Sequence, residues 1–336
     1  MPITTRDQDH FRLGLLFAVG SAFTFGMSGP FAKALIEAGW SPTAAVTARL
    51  AGGALVMAIF ATVVKPDWFR EAMQHGKTVV AYGLIPIAGA QLCFYNAVAH
   101  LSVALALLLE YTAPILVVGW IWATTGCRPG NKTLAGVTLA VAGIMLVLGL
   151  FRDGGLSGAH INAVGVAWAL AAAVCAACYF MMSDEVTADG SGLNSVTLAA
   201  GGLIVGAAAV GLLGLMGVMP LTFTTNNTVL AGITMSWIMP VVALGVISTA
   251  IAYTLGISGV ARLRPSFASL VGLGEVMFAV LSAWVLLGEA LTPTQAVGGA
   301  VVLLGLALAR QGDRSVATAT WPDGGAVDEF AVGSRA

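Results

Sequence analysis

The feature that most constrains this chain is a series of ten apolar runs, most of about 20 residues and nearly free of charge. A helix of that length matches the hydrocarbon core of a bilayer, about 30 Å across. Inside that core every backbone polar group must find its partner within the protein, so only helices or a closed barrel can cross. The runs lack the alternation of barrel strands. They lie at 13–33, 42–64, 78–98, 102–124, 133–150, 161–182, 193–216, 237–259, 266–288 and 292–309, and they predict an all-α integral membrane protein with ten transmembrane helices.

Composition enters as a check. Of 336 residues 58% are hydrophobic and 9% charged, whereas a soluble domain carries about 25% charged residues. A soluble fold has too little interior to hide so much apolar surface, so lipid must be the solvent for much of it. Fifteen basic residues face 16 acidic ones with no basic stripe, which argues against nucleic acid as a partner. Cys93, Cys127, Cys175 and Cys178 lie in or beside apolar runs, unlike the framework of a secreted disulfide scaffold. The first run is too long for a signal-peptide core, so it is expected to be retained. Residues 311–336, rich in Asp, Gly, Ser, Thr and Ala, are expected to form a disordered cytoplasmic tail. Residues 1–12 form the cytoplasmic N-terminus on this reading.

Basic residues accumulate in cytoplasmic loops. An N-terminus placed inside puts Arg6, Arg12, Lys65, Arg70, Lys77, Arg128, Lys132, Arg262, Arg264, Arg310 and Arg314 on the cytoplasmic side. Only Lys33 and Arg152 then lie outside, while Arg335 is in the tail and Arg49 within a span. The expected location is the plasma (inner) membrane, multi-pass, with both termini cytoplasmic.

The chain also repeats itself. Displaced by 162 residues, Ala99 aligns with Ala261, Leu101 with Leu263, Trp122 with Trp284, Gly126 with Gly288, Gly136 with Gly298 and Gly143 with Gly305. The division is five spans plus five, 13–150 and 161–310, joined by a loop at 151–160. Five is odd, so the two halves must enter the membrane with opposite topology. That arrangement is an inverted repeat, and carriers built so bind substrate near the midplane between the halves.

The second half reads Ile247-Ser-Thr-Ala-Ile-Ala-Tyr253, Ala261-Arg-Leu-Arg-Pro265, Leu273-Gly-Glu275 and Leu286-Leu-Gly-Glu289-Ala-Leu-Thr-Pro293-Thr-Gln295. These stretches resemble the hallmark of EamA-type carriers in the drug/metabolite transporter superfamily. Thr47-Ala-Arg49-Leu and Leu109-Glu110-Tyr-Thr-Ala-Pro114 are similar to the threonine/homoserine exporter branch. The resemblance covers about residues 13–310. It implies ten helices as two EamA repeats, and export of amino acids or related metabolites. Two departures stand out: the family's Glu-Pro in span nine is Glu275-Val276, and its LLGE ending of the first repeat is replaced by Thr125-Gly-Cys127.

An ionisable group at mid-membrane costs about 2.5–3.5 kcal/mol on insertion scales, so each one needs a reason. Arg49 lies in span two, Glu110 in span four and Glu275 in span nine. On the repeat register Glu275 pairs with Ala113, on the same helical face as Glu110. One arginine neutralises one carboxylate, which leaves the other unpaired or protonated. In this reading Arg49 binds an anionic group such as an amino acid's carboxylate, a glutamate meets its ammonium group, and Glu275 faces a water-filled cavity where it titrates. A fixed Arg49–Glu110 ion pair holding spans two and four together is the alternative. Tyr95, Tyr111 and Trp168 are further pocket candidates, drawn from a wider polar and aromatic set that includes Gln91, Asn96, Thr112, Tyr179 and Tyr253. Pro30, Pro86 and Pro114 fall inside spans and are expected to kink them.

Other motifs point elsewhere. Cys175-Ala-Ala-Cys178 lies in an apolar helix without a second pair, which reads as packed reduced thiols rather than a metal or redox site. Gly202-x-x-x-Gly206 and Gly211-x-x-Gly214 read as close-packing surfaces. His10, His75, His100 and His160 lie at loops or span ends. The chain therefore reads as a secondary carrier with no cofactor, not an enzyme, driven by a proton gradient or by substrate exchange, as a monomer or homodimer. The alternatives are a membrane-embedded enzyme using the glutamate pair and a lipid-moving component of a complex.

Overall fold

The computed structural model describes residues 5–126, 128–147, 162–188, 193–260 and 274–320. The expected loop at 151–160 and the beginning of span nine, 266–273, lie outside the described residues, as does Cys127.

The helices are α1 (Thr5–Gly26), α2 (Ser28–Glu37), α3 (Pro42–Val64), α4 (Trp68–Gln74), α5 (Gly76–Tyr82), α6 (Ala90–Val98), α7 (Val103–Glu110), α8 (Ala113–Thr125), α9 (Asn131–Val147), α10 (Ala163–Ala188), α11 (Ser195–Leu215), α12 (Ile238–Val242), α13 (Ala252–Val260), α14 (Gly274–Leu287) and α15 (Pro293–Thr320). Two wide-turn π-helical stretches, Gly83–Gly89 and Ala243–Ile251, join α5 to α6 and α12 to α13. Among the described residues, six helices are long and apolar enough to cross a membrane: Arg12–Glu37, Pro42–Val64, Gly76–Val98, Val103–Thr124, Val196–Leu215 and Ile238–Gly256. Four shorter apolar helices follow the same pattern at Asn131–Val147, Ala163–Tyr179, Gly274–Leu287 and Pro293–Ala309.

Helix α3 shows why lipid must surround this structure. Leu50, Ala54, Met57 and Ala61 are buried on one side while Leu55, Ile59 and Val63 stand exposed on the other. A helix apolar all round is stable only when hydrocarbon or protein covers every face. This is a multi-pass membrane protein.

The proline positions coincide with local breaks. Pro30 sits in the first turn of α2, just after the interruption at Met27. Pro86 lies inside the first π stretch. Pro114 opens α8 after the chain leaves helix at Tyr111–Thr112. Each proline removes one backbone donor, and the chain absorbs the loss at a helix start or a widened turn.

Glycines set how closely helices approach. A Cβ on Gly136 would lie 2.5 Å from the Gly305 carbonyl oxygen, and one on Gly143 would lie 2.8 Å from that of Gly298. As residue numbers rise along α9 they fall along α15, so the two run antiparallel in backbone contact. Gly202 and Gly206 of α11 pack against Ile87 of the first π stretch, so that stripe is used inside the chain. Gly53 of α3 meets Thr249, and Gly52 meets Gly245, where α3 crosses the second π stretch.

One expectation is corrected. The fold is not entirely helical: β1 (Thr228–Leu230) and β2 (Ile233–Met235) form an antiparallel hairpin with Thr228 opposite Met235 and Leu230 opposite Ile233. Its turn residues Ala231 and Gly232 both have positive φ, 53° and 74°, the conformation that matches strand twist in a two-residue hairpin. This segment lies between the apolar helices, where the demand for helical backbone does not apply. At the other end, α15 is helical as far as Thr320, past Gln311. Propagating an established helix costs little when no proline stops it. Residues 321–336 lie outside the described residues.

Candidate functional site

The site grows from the crossing of α3 with the second π stretch. Gly52 and Gly53 let these segments touch, and Arg49, one turn earlier on α3, is thereby carried into the interior with only 4% of its surface exposed. A guanidinium buried there must spend its donors on protein. Nε donates to Thr249 Oγ1 at 3.2 Å; the two N–H groups of Nη1 are shared among Ser28 Oγ at 2.6 Å, Gln91 Oε1 at 2.7 Å and Tyr95 OH at 3.2 Å; Nη2 donates to the Ser248 carbonyl at 3.2 Å. The fully buried Tyr95 also presents its ring 5.8 Å from the guanidinium carbon, a cation–π distance. α2, α6 and the second π stretch thus supply every acceptor, and all are neutral.

A guanidinium has five N–H donors. The second one on Nη2 has no acceptor among the described residues. The ion pairs among the described residues are Lys33–Glu289 and Lys65–Glu71, so a fixed Arg49–Glu110 pair is absent. Beside Arg49, the enclosed Ser248 Oγ has no hydrogen-bond partner.

Glu110 is the last residue of α7, where the chain breaks before α8. It is half-buried, and no hydrogen bond or ion pair among the described residues holds its carboxylate. Glu275 begins α14 and accepts a hydrogen bond from Tyr111 OH at 2.8 Å. Glu110 lies within electrostatic reach of both Glu275 and Arg49. The structure therefore gathers Arg49, Tyr95, Glu110, Tyr111 and Glu275 in one region. The geometry distinguishes the two glutamates: Glu275 is tethered to Tyr111, while Glu110 has no hydrogen-bond or ion-pair partner among the described residues.

Trp168 lies half-buried on α10, which packs against α6, α7 and α8, but it makes no polar contact with the charged residues. Asn96 turns back to the Leu92 carbonyl, and Tyr253 stacks edgewise on Phe25 at 5.1 Å. Cys93, Cys175 and Cys178 carry free thiols, and no cluster of metal-ligating side chains occurs among the described residues.

Sequence reasoning missed Ser28, Ser248 and Thr249, and Gln91 was not retained among its site residues. The only available signal was small polar groups in apolar spans, such as Ser248-Thr249. Such residues more often serve ordinary interhelical contacts.

The comparisons with known proteins agree with this architecture. The model of the EamA-like transporter family matches twice, at residues 12–149 and 163–311. The threonine/homoserine exporter RhtA of Escherichia coli K12 is 30% identical over 260 residues, covering 76% of this chain and 77% of that protein. The uncharacterized inner membrane transporter YicL of Salmonella typhimurium is 23% identical over 298 residues, 87% of this chain and 93% of that one. A solved crystal structure at 21% identity superposes with a TM-score of 0.58, over 92% of this chain and 99% of its own, and shows the shared fold. Two family matches spanning most of the chain and a relative at this identity lead to one conclusion: the chain belongs to the EamA-like transporter family.

Proposed function

We propose that this chain exports an amino acid or a related small zwitterion by alternating access. In this reading ten spans form two inverted five-helix repeats, 13–150 and 161–310, with both termini cytoplasmic in the inner membrane. The antiparallel seam supports the symmetry. Gly136 meets Gly305, the repeat counterpart of Gly143, and Gly143 meets Gly298, the counterpart of Gly136. Contacts exchanged in this way are what a two-fold axis produces. The two π stretches support it too, since Gly83–Gly89 displaced by 162 residues falls within Ala243–Ile251.

One observation carries the functional reading. Arg49 is a buried cation held entirely by neutral acceptors, with an untethered carboxylate in electrostatic reach. Separated opposite charges in a membrane interior fit a zwitterion better than they fit a packed core. The substrate's carboxylate takes the free Nη2 donor of Arg49 beside Tyr95, and its ammonium group takes Glu110. Tyr111 and Glu275 supply the coupling proton site, and Trp168 closes the apolar side. The exporter RhtA, by its name, acts on threonine and homoserine, which makes these the first substrates to try.

The test is counterflow of labelled threonine and homoserine in proteoliposomes, with and without a pH gradient. Wild type should accumulate label, and Glu110→Gln and Glu275→Gln should each lose it by about 100-fold while reconstituting normally, as expected when a paired charge is removed. Arg49→Lys should also fail, because an ammonium cannot reproduce the guanidinium fork. Full activity in both glutamine variants sinks the site assignment. Label recovered in altered chemical form supports an enzyme instead.

A further inference from the structure

One polar cluster away from the centre remains unused by that reading. Lys33 on α2 pairs with Glu289, just beyond α14, and its ammonium also donates to the Leu101 carbonyl at 3.2 Å. The second carboxylate oxygen of Glu289 accepts the Val103 backbone N–H at 3.1 Å. That N–H belongs to the first turn of α7, where helix donors lack internal partners and favour a negative charge. Three chain segments are therefore fastened at one point: the middle of α2, the turn between α6 and α7, and the turn after α14. Each side chain keeps 19% of its surface exposed, so the cluster lies at the edge of the protein interior rather than within it.

The same face is covered by further contacts. The hairpin turn ties down through Ala231 N–H to the Leu286 carbonyl at 2.7 Å. Trp40, after α2, donates to the Thr224 carbonyl at 2.8 Å and packs against Phe223 and Trp237. The α7 and α14 segments fastened here are the ones that carry Glu110 and Glu275. A route from this face to the central charges must separate them.

Resting on the reading of an alternating-access carrier, we propose that the Lys33–Glu289 clasp is the gate on the hairpin face and breaks in every transport cycle. Its chemistry suits that task. A partly hydrated ion pair is held weakly enough to open, because water can replace each partner. The clasp also has no copy in the other repeat: the register places Cys127 opposite Glu289 and Pro265, which has no N–H, opposite Val103. Two identical halves would populate both end states equally; this contact, made at one end only, biases the chain toward closure of the hairpin face.

The native thiols supply the test, because Cys93 and Cys175 lie near Glu110. A membrane-impermeant thiosulfonate reagent is added to intact cells and, separately, to inverted vesicles, and modification of each cysteine is timed by mass spectrometry. From the hairpin face, Lys33→Met and Glu289→Gln should each raise the modification rate about tenfold, with Lys33→Arg near wild type, as a population shift toward the opened state requires. From the opposite face the rate should fall or stay level. Unchanged rates in both neutral variants overturn the gate, as does an equal rise from both faces, which marks general loosening. A wild type that moves no amino acid while the labelling pattern appears removes the proposed cargo and leaves the gate standing.

Discussion

At the residue scale, the structure separates buried charges that meet an opposite charge from those that do not. Glu71, between α3 and α5, is of the first kind. It accepts from Lys65, the Thr197 hydroxyl and the Asn194 N–H. Burial pushes its carboxyl up, but these partners together outweigh that and hold it below the ordinary value of 4.5. A lowered native value means that the stabilisation is fully present above the unfolded value and is lost as pH falls through the native one. The thermal midpoint in detergent should therefore decline as pH drops below about 4.5, and Glu71→Gln should flatten that decline. A variant with the same pH slope as wild type removes Glu71 from the explanation. Arg49 differs in that its hydrogen bonds all go to neutral groups and none to an opposite charge among the described residues. It was legible as a candidate because an ionisable group in an apolar run demands a reason. Its neutral acceptors were not, because serine, threonine and glutamine in membrane helices serve many ordinary contacts.

At the element scale, the α9–α15 seam differs from ordinary packing in bringing backbone directly against backbone. A methyl group on Gly136 would fall 2.3 Å from the Ala309 backbone nitrogen, with no flexible atom to move aside. Gly136→Ala should lower stability by about 1–3 kcal/mol, as overpacking does. Gly119→Ala, with open space around it, should leave the midpoint unchanged or raise it. Equal effects at the two positions would falsify the seam's role. The six long apolar helices were readable because the bilayer imposes length and composition on such segments. The π stretches were not, since a widened turn depends on what packs beside it. The hairpin escaped as well, because it lies in a polar connection where no periodicity announces three-residue strands.

At the scale of the whole molecule, the two ion pairs and the hairpin give the orientation a measurable form. With the N-terminus inside, the hairpin loop faces the exterior and α4 the cytoplasm. Thr225→Cys should then react with an impermeant maleimide in intact cells, and Gln74→Cys only in inverted vesicles. The opposite pattern reverses the topology. Counting basic residues was the route to this orientation, but that count treated Lys33 as a loop charge and so passed over its contact with Glu289. That partner is 256 positions away, a separation at which nothing local in sequence marks the pair.

The glycine seam between α9 and α15 carries a consequence for ancestry. On the proposed inverted repeat its surface is self-complementary: each half presents the patch that the other half needs, in reversed direction. A single half-length chain inserted into a membrane in both orientations would already possess a matching partner in its own copies. Joining two such chains end to end would preserve the contact and free each copy to change separately. Glu289 opposite Cys127, and Val103 opposite Pro265, are the marks of that freedom.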